Sequence, residues 1–453
     1  MTNPPMPALR QNDGLLPLAV YVHWPWCKAK CPYCDFNSHA SEINEDAYVD
    51  ALLGEFRSWN EPRVIGALKT DPFTPQKRRI SSVFFGGGTP SLMGTENFAR
   101  VIDACRKLGV IDAETEITVE CNPTSFDEMR DADAFFRQLK AVGVNRISIG
   151  VQGLKQEWLT FLGRAHRVED ALATLDAALG VFDNVNADVI YGLPNQRLEE
   201  WLQQLETLTQ RGLTHISAYQ LTIEPNTLFF KDVRRGRWAP ISGDLEADFF
   251  DATRTALQAH GYENYEISNF AKPGQACRHN VHVWQYGEYL GIGAGAHGRV
   301  ISDSGIVVAT QIVRQPDGYL RRMKDLADPV SLATPLNGPE TIQEAVFSGL
   351  RLATGVDVES LRKRYGETAY AEAVLSRETT LLVDSGLLIE RNGYLQLTER
   401  GWPLLNGVLQ RILPILPPQP AASGTSMSHI NPTASADTPS PNEYNHTVSV
   451  TIL

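Results

Sequence analysis

The segment YVHWPWCKAKCPYCDFNSH, residues 21–39, places three cysteines within eight positions just after a predicted strand. Cys27, Cys31 and Cys34 are spaced C-x3-C-x2-C, and three thiolates so spaced on a curled loop can converge on one metal centre. This close spacing suits a shared ligand better than disulfides in a reducing compartment. The segment therefore predicts a metal site on the loop that follows the first strand of the fold.

Two kinds of metal centre are compatible with this spacing. A closed structural zinc site needs a fourth protein ligand, for which Cys121, Cys277 or a histidine would have to be recruited. A [4Fe–4S] cluster commonly takes four cysteines, so a cluster held by three keeps one iron position open for an external ligand. The spacing favours the cluster over a zinc knuckle.

The first two-thirds of the chain alternates between short β-branched or aromatic runs and longer amphipathic stretches. The predicted strands are LAVYVHW (18–24), SSVFFGG (81–87), EITVEC (116–121), NRISIGV (145–151), NADVIYG (186–192) and HISAYQL (215–221). The predicted helices lie near 43–59, 95–108, 126–141, 168–180, 198–211 and 243–260. Six β/α units of this kind predict an α/β fold with a parallel sheet and right-handed crossovers.

The unusual residues follow the carboxyl ends of different strands. The cysteines follow the first strand, and the motifs GGGTP, ECNP and GVQG end or follow the next three. In a β/α barrel that rim is where an active site is assembled from several loops, whereas a doubly wound sheet gathers its chemistry at one switch point. The pattern therefore favours a partial (β/α)6, TIM-like barrel.

Composition changes divide the rest of the chain. Five units are expected: an N-terminal leader (1–17), the barrel (18–260), an aromatic and glycine-rich lid or binding segment (261–336), a helical, winged-helix-like domain (337–414) and a disordered tail rich in Pro, Ser and Thr (415–453). Within 337–414, helical patterns near 340–352, 357–366 and 369–384 precede a hairpin turn at Asn392-Gly393.

Charge and hydropathy exclude several classes of function. No apolar run reaches the length of a membrane span, and the N-terminus lacks the layout of a signal peptide, so a cytoplasmic location is expected. A formal net charge of −12 argues against binding to nucleic acid.

The C-x3-C-x2-C motif after the first strand and FFGGGTPSL (84–92) after the second resemble the radical S-adenosylmethionine (SAM) superfamily. The resemblance implies a partial barrel, a [4Fe–4S] cluster on the three cysteines, and SAM bound to the open iron through its amino and carboxylate groups. It also implies that an electron from the cluster can cleave the sulfonium to a 5′-deoxyadenosyl radical.

The same resemblance assigns SAM contacts along the strand ends. Gly87, Gly88 and Thr89 match the positions that contact the methionine amino group, and glycines there let the backbone approach a ligand closely. The other matched positions are Tyr21 near the sulfonium and Glu120, Gln152, Arg164 and Asp188 around the ribose, carboxylate and methionine parts. No catalytic residue is assigned.

Within the superfamily, residues 18–414 are similar to the oxygen-independent coproporphyrinogen III oxidase branch. True oxidases in that branch have a longer N-terminal extension and a fourth cysteine, C-x3-C-x2-C-x-C, whereas the related heme chaperones read C-x3-C-x2-C-x-F. Here Phe36 occupies the last position, and only 26 residues precede Cys27. The resemblance thus favours a heme chaperone without oxidase activity; an oxidase that decarboxylates coproporphyrinogen III is the alternative.

Heme chaperones of this branch carry an H-N-x-x-[YF]-W-like motif, which reads HNVHVW at 279–284. His279 matches the proposed heme ligand, although Val283 replaces the motif's aromatic residue, and Cys277, His282 and His297 are further candidates. Neutral imidazole is a common axial ligand of heme iron. The implied partners are heme, a heme-acceptor protein that is soluble or membrane-associated, and an electron donor for the cluster.

Overall fold

The fold is described from a computed structural model that covers residues 14–65, 68–126, 131–374 and 377–412. Most of the expected leader (1–17) and all of the expected tail (415–453) lie outside the described residues. Within the described part, no helix combines the length and the apolar character that crossing a membrane requires.

The described chain forms a mixed α/β structure whose elements follow the predicted alternation. The strands are β1 (Leu16–Trp24), β2 (Arg63–Ile65), β3 (Leu68–Thr70), β4 (Arg78–Gly87), β5 (Glu116–Cys121), β6 (Arg146–Gln152), β7 (Val185–Tyr191), β8 (His215–Gln220), β9 (Glu263–Glu266), β10 (Asn269–Ala271), β11 (Tyr289–Ile292), β12 (His297–Ile301), β13 (Val307–Ile312), β14 (Val330–Pro335), β15 (Val356–Asp357), β16 (Leu388–Arg391) and β17 (Tyr394–Leu397). The α-helices are α1 (Glu45–Trp59), α2 (Thr95–Leu108), α3 (Ala132–Ala141), α4 (Gln156–Phe161), α5 (Val168–Leu179), α6 (Leu198–Thr209), α7 (Leu228–Arg234), α8 (Gly243–Ala259), α9 (Arg278–Trp284), α10 (Pro316–Lys324), α11 (Gly338–Gly349), α12 (Val358–Tyr365), α13 (Glu367–Val374), α14 (Arg377–Asp384) and α15 (Leu405–Ile412).

The six predicted strands are β1, β4, β5, β6, β7 and β8, and they are neighbours in that order within one sheet. Every adjacent pair among them is parallel. Sequential parallel strands without a reversal form the wall of a β/α barrel, whereas a doubly wound sheet would reverse its order. The partial-barrel prediction is confirmed, and the carboxyl ends of all six strands share one rim.

The same sheet continues beyond the six strands at both sides. Strand β11 pairs in parallel with β1 and is followed outward by the antiparallel strands β12, β13 and β14. On the other side, β10 and β9 extend the sheet from β8. The order begins at β14 and ends at β9, so hydrogen bonds between strands do not close the barrel.

The segment 261–336 differs from the irregular lid or loop that its composition suggests. It contains six strands and two helices, and the four residues of β11 are fully packed between neighbouring strands. Its strands are only three to six residues long and two of them contain a glycine, so neither strand nor helix periodicity is visible in the sequence.

The C-terminal helices and hairpin form a second core. Helices α11 to α14 pack with a three-stranded sheet of order β15-β17-β16, and Asn392 and Gly393 make the predicted two-residue turn with φ of 52° and 79°. Positive φ at both positions fits a hairpin turn of type I′. The helix expected over 369–384 is divided into α13 and α14, with residues 375–376 outside the described part.

Candidate functional site

The three cysteines of the loop after β1 are each partly buried and their sulfurs influence one another. Burial raises the pKa of Cys27 above its ordinary value, and the charges of Cys34 and Cys31 raise it further, while a hydrogen bond from Thr89 opposes the shift. Burial likewise raises the pKa of Cys34, whose sulfur lies 3.6 Å from the Ser38 hydroxyl. Cys31 and Cys34 therefore lie near Cys27.

The donors on the loop after β1 are three thiols, the ligand type that holds iron–sulfur clusters. No group of three or more His, Cys, Asp or Glu side chains in the described ranges is close enough to hold one ion. In a cubane cluster each cysteine binds a different iron, so its ligands stand farther apart than those of one zinc ion. The additional cysteines considered for zinc are elsewhere: Cys121 is buried in the core, and Cys277 donates to Glu116.

Backbone and side-chain hydrogen bonds fix the loop that carries the cysteines. The amide of Cys27 donates to the carbonyl of His39 at 3.0 Å, and Lys30 Nζ donates to the carbonyls of Phe36 and Ser38, each at 3.1 Å. Asn37 Nδ2 donates to two carbonyls in the segment after β11. The loop is therefore held by contacts within itself and with a distant part of the chain.

The glycine turn after β4 leaves no room for side chains. Gly87 has φ of +107°, and a Cβ there would lie 2.4 Å from the ring of His23. A Cβ on Gly88 would lie 2.5 Å from the carbonyl oxygen of Trp26. The turn after β4 therefore lies in contact with the cysteine loop. The Thr89 amide donates to the Trp26 carbonyl at 2.7 Å.

Tyr21 is buried inside the barrel, and Glu120 and Asp188 are partly buried polar side chains of the same region. The Glu120 carboxyl accepts from the Gly87 amide at 3.2 Å, and its pKa is raised to about 8, first by burial and then by the nearby charge of Asp188. Burial also raises the pKa of Asp188, although Ser148 and Asn186 donate to its oxygens at 3.0 and 2.8 Å. At neutral pH the Glu120 carboxyl is therefore mainly protonated.

Arg164 and Gln152 meet at the end of β6. Both side chains lie beside Gly150. A Cβ atom added to that glycine would be 2.9 Å from Gln152 Nε2 and 3.2 Å from Arg164 Nη2. Arg164 Nη2 donates to the Gly150 carbonyl at 3.2 Å, while Nη1 donates to the Cys31 sulfur at 3.4 Å. Arg164 thus joins the rim of the barrel to the cysteine loop.

Two of the predicted SAM contacts, Thr89 and Arg164, line one cavity together with Cys27 and Cys31. A small cavity lies between the cysteine loop and the ends of β4, β5 and the segment after α4, lined by Cys27, Lys28, Ala29, Cys31, Thr89, Asn122, Thr124, Gly163, Arg164 and Ala165. Cationic, hydroxyl and amide groups here can bind a carboxylate, and the buried carboxyls can accept from hydroxyl or ammonium groups. This chemistry fits the amino-acid and ribose parts of SAM.

His279 does not lie at this rim. It is on α9, whose first backbone amides donate to Glu116 at the start of β5, the opposite end of the strand from Glu120. Its side chain is fully buried, stacks on Phe84 at 4.9 Å between ring centroids, and its Nδ1 pairs with the Ser82 hydroxyl at 2.8 Å. Burial lowers its pKa to about 3, so the imidazole is neutral.

The other histidines of this region are used in packing. His282 Nε2 donates to the Glu288 carbonyl at 2.7 Å, and Nδ1 accepts from the Ser81 hydroxyl at 3.1 Å, in one consistent tautomer. His297 is partly buried on β12. Cys277 begins the turn into α9 and is fully buried.

Sequence reasoning missed His23 as a member of the site. Its Nδ1 lies 3.0 Å from the Tyr21 hydroxyl and its Nε2 lies 3.0 Å from the Asn37 carbonyl, so it links the barrel interior to the cysteine loop. The sequence offered one signal for His23. Residues two apart on a strand face the same side, and Tyr21 on the same strand was already a predicted SAM contact.

Comparison with known proteins matches two family models to the chain. The Radical SAM superfamily matches residues 21–208, and the HemN C-terminal domain matches residues 336–404. The heme chaperone HemW of Escherichia coli (strain K12) is 38% identical over 408 residues, which cover 88% of this chain and 99% of that protein. The heme chaperone HemW of Haemophilus influenzae is 34% identical, covering 88% and 98%.

A mitochondrial relative and a solved structure extend the comparison. Radical S-adenosyl methionine domain-containing protein 1 of Mus musculus is 36% identical over 405 residues, 88% of each chain. The structure of coproporphyrinogen III oxidase (HemN) from Escherichia coli superposes with a TM-score of 0.71 at 22% identity, covering 88% of this chain and 90% of that one. At that identity the structural match establishes the fold alone.

Proposed function

Because the chain belongs to the radical SAM superfamily and, within it, to the HemW family, we propose that it is a heme chaperone that binds heme and passes it to an acceptor protein. The observation that carries this proposal is the 38% identity to the heme chaperone HemW of Escherichia coli over 99% of that protein's length. Phe36, at the position where true oxidases have a fourth cysteine, supports the same function.

The proposal includes a [4Fe–4S] cluster on Cys27, Cys31 and Cys34 and exchangeable SAM beside it. The cluster, when bound, supplies an electron that can cleave the SAM sulfonium. Support comes from the position of the three thiols on one loop, where Cys34 and Cys31 are close enough to Cys27 to raise its pKa. A reducing compartment such as the cytoplasm keeps these thiols available.

The chain's own residues would hold SAM from several sides. Gly87, Gly88 and Thr89 bring the turn after β4 against the cysteine loop, and Arg164 offers a cation to the carboxylate. Glu120 is neutral at pH 7 when no ligand is present, because of its burial. An arriving ammonium group favours its ionised form, so SAM binding is expected to release a proton from this carboxyl.

The experiment is anaerobic reconstitution of the full chain, followed by heme titration, heme transfer to an apo b-type heme protein, and incubation with coproporphyrinogen III and SAM. We expect about one heme per chain, transfer to the acceptor, and no protoporphyrinogen IX. The matched control is Cys105→Ala, which removes a buried thiol outside the loop. It should retain iron and sulfide, whereas Cys31→Ala should lose them.

Two outcomes would contradict the proposal. A wild-type protein that binds no heme under these conditions would not be a heme chaperone. Formation of protoporphyrinogen IX over multiple turnovers would favour the oxidase instead.

A further inference from the structure

The inner wall of the barrel is polar along three neighbouring strands. A β/α barrel ordinarily fills its interior positions with branched apolar side chains. Here β6, β7 and β8 carry Ser148, Asn186, His215 and Ser217 beside one another in the sheet, and each of them is at least nine-tenths buried. Because a buried polar group costs free energy unless it is hydrogen-bonded, these side chains need partners within the barrel.

Asn186 joins the three strands through its side-chain amide. Its Nδ2 donates to Asp188 Oδ1 at 2.8 Å and to the Ser148 hydroxyl at 2.7 Å. Its Oδ1 accepts from His215 Nδ1 at 2.7 Å and from the Ser217 hydroxyl at 3.1 Å. The Ser148 hydroxyl donates in turn to Asp188 Oδ2 at 3.0 Å. Both carboxylate oxygens of Asp188 therefore receive a hydrogen bond from this network.

The hydrogen bonds of the network run in one direction. An ionised carboxylate only accepts, so the Asn186 amide turns its Nδ2 toward Asp188 and its Oδ1 toward His215. Burial lowers the pKa of His215 well below 6.5, so its imidazole is neutral and carries a single proton. That proton is on Nδ1, because Nε2 accepts from the Tyr265 hydroxyl at 2.9 Å. Each donor from Tyr265 inward thus points toward Asp188.

The network acts on one of two neighbouring carboxyls. Burial raises the pKa of Asp188, but the hydrogen bonds from Asn186 and Ser148 oppose that shift, since bonds to the charged form favour it. The pKa of Glu120 rises to about 8, first through burial and then through the charge of Asp188. At neutral pH Asp188 is therefore the member of the pair that carries the negative charge.

We propose that Asn186 and His215 are positioning residues for SAM binding, which hold the Asp188 carboxylate in one orientation before the ligand arrives. A carboxylate that is already ordered loses little freedom on binding, and its charge attracts the ammonium and sulfonium groups of SAM. The inference rests on the proposed function, because it takes Asp188 to be a SAM contact. Neither Asn186 nor His215 was among the predicted contacts, since both act through another side chain.

The test is calorimetric titration of SAM into the anaerobically reconstituted full chain. Asn186→Leu removes the donor to Asp188 and should weaken SAM binding about tenfold or more, the loss expected for a hydrogen bond to a charged group. His215→Leu frees the Asn186 amide to turn over and should weaken binding by about tenfold. His215→Asn keeps a donor near the position of Nδ1, so it should recover most of the affinity.

Thr253→Val is the matched control for the loss of a buried hydrogen bond. Thr253 lies on α8, where its hydroxyl accepts from Trp201 Nε1 of α6 at 2.7 Å, and it is 1% exposed. This variant should lose stability without losing affinity for SAM. Iron, sulfide and circular dichroism measurements on every variant exclude loss of the cluster or of the fold as the cause.

A second measurement does not depend on any variant folding. Nitrogen-15 NMR of the wild-type histidine side chains, assigned through their bonds to the backbone, should show His215 neutral with its proton on Nδ1. A proton on Nε2 would reverse the direction of the network and overturn the inference.

Two calorimetric results would also overturn it. One is affinity for SAM in Asn186→Leu and His215→Leu that equals that of wild type or of Thr253→Val. The other is binding by His215→Asn that is as weak as binding by His215→Leu, which would make His215 a packing residue. Absence of SAM binding by the reconstituted wild-type protein would instead overturn the SAM site of the proposed function.

Discussion

The guanidinium of Arg164 donates to the sulfur of Cys31 at 3.4 Å across a sequence separation of 133 residues. Its second terminal nitrogen donates to the Gly150 carbonyl at the end of β6, so the charge is fixed at both sides. A positive charge beside Cys31 would stabilise the negative charge that reduction adds to the proposed cluster, which would make Arg164 a positioning and tuning residue for the cysteine loop.

Replacing Arg164 with Gln is expected to lower the reduction potential of the reconstituted cluster. The lost interaction of about 1 kcal/mol corresponds to a change on the order of 50 mV for a one-electron couple. Spectroelectrochemical titration measures this shift. Arg167→Gln, three residues away and paired only at the surface with Asp170, should leave the potential unchanged; an equal shift in both variants would refute the local effect.

Substitution of Gly87 by Ala should abolish tight SAM binding and destabilise the fold. The left-handed backbone costs about 1–3 kcal/mol, and the clash of the new Cβ with His23 adds a comparable amount. Gly143→Ala is a matched control, since Gly143 has φ of +106° but no atom within 4 Å of its Cβ position. Urea unfolding and SAM calorimetry should show the strain in both variants and the binding defect only in Gly87→Ala.

Glu55 should make stability fall as pH rises. Burial raises its pKa from 4.5 to about 7, although Tyr319 and the Gly293 amide donate to its Oε2 at 2.7 and 2.9 Å. Between pH 4.5 and pH 7 the folded state holds a proton on Glu55 that the unfolded state has lost. Over that range the contribution of Glu55 to the free energy of unfolding falls by up to about 3 kcal/mol, and it changes little at higher pH.

The measurement for Glu55 is urea unfolding of wild type and Glu55→Gln at pH 5 and pH 8. The variant should approach wild type at pH 5 and exceed it at pH 8, because the amide carries no charge to bury. A difference between the two proteins that stays constant with pH would contradict the assigned protonation of Glu55.

Glu116 should be the main anchor of α9. Its carboxylate accepts from the amides of Arg278 and His279 at 2.9 and 3.1 Å, and also from the Cys277 thiol. Glu116→Gln should lower the free energy of unfolding by about 1–3 kcal/mol and speed amide hydrogen exchange in α9. Glu114→Gln, two residues away and exposed in a surface pair with Arg278, should change both values little.

The rim of the site was predictable because strand periodicity is local. Glu120 and Asp188 stand on short runs of β-branched and aromatic residues that each precede an amphipathic stretch, so the sequence alone orders them along one rim. The prediction gave the strands within a few residues because each is a compact run of β-branched and aromatic residues. The glycine turn was predictable for the same reason, since Gly87 and Gly88 directly follow such a strand.

The rest of the fold and of the site depends on contacts between segments that are far apart in the sequence. The four residues of β11 carry no detectable period, and only their burial against β1 makes them a strand. The position of His279 follows from Glu116, which holds α9 at the opposite end of the barrel from the cysteines. Arg314 likewise reaches the cysteine loop through Asn37, a partner 277 residues earlier. No local pattern encodes such contacts.

The anchoring of Asn37 has a consequence for biosynthesis. Its side chain donates to the carbonyls of Ala294 and Arg314, so the cysteine loop acquires its final bracing only when the chain has been made to that point. At roughly 5–20 residues per second, a ribosome needs about 15–55 s to extend from Asn37 to Arg314. During that interval the loop that carries Cys27, Cys31 and Cys34 lacks the two bonds from Asn37 and keeps the hydrogen bonds within residues 27–39.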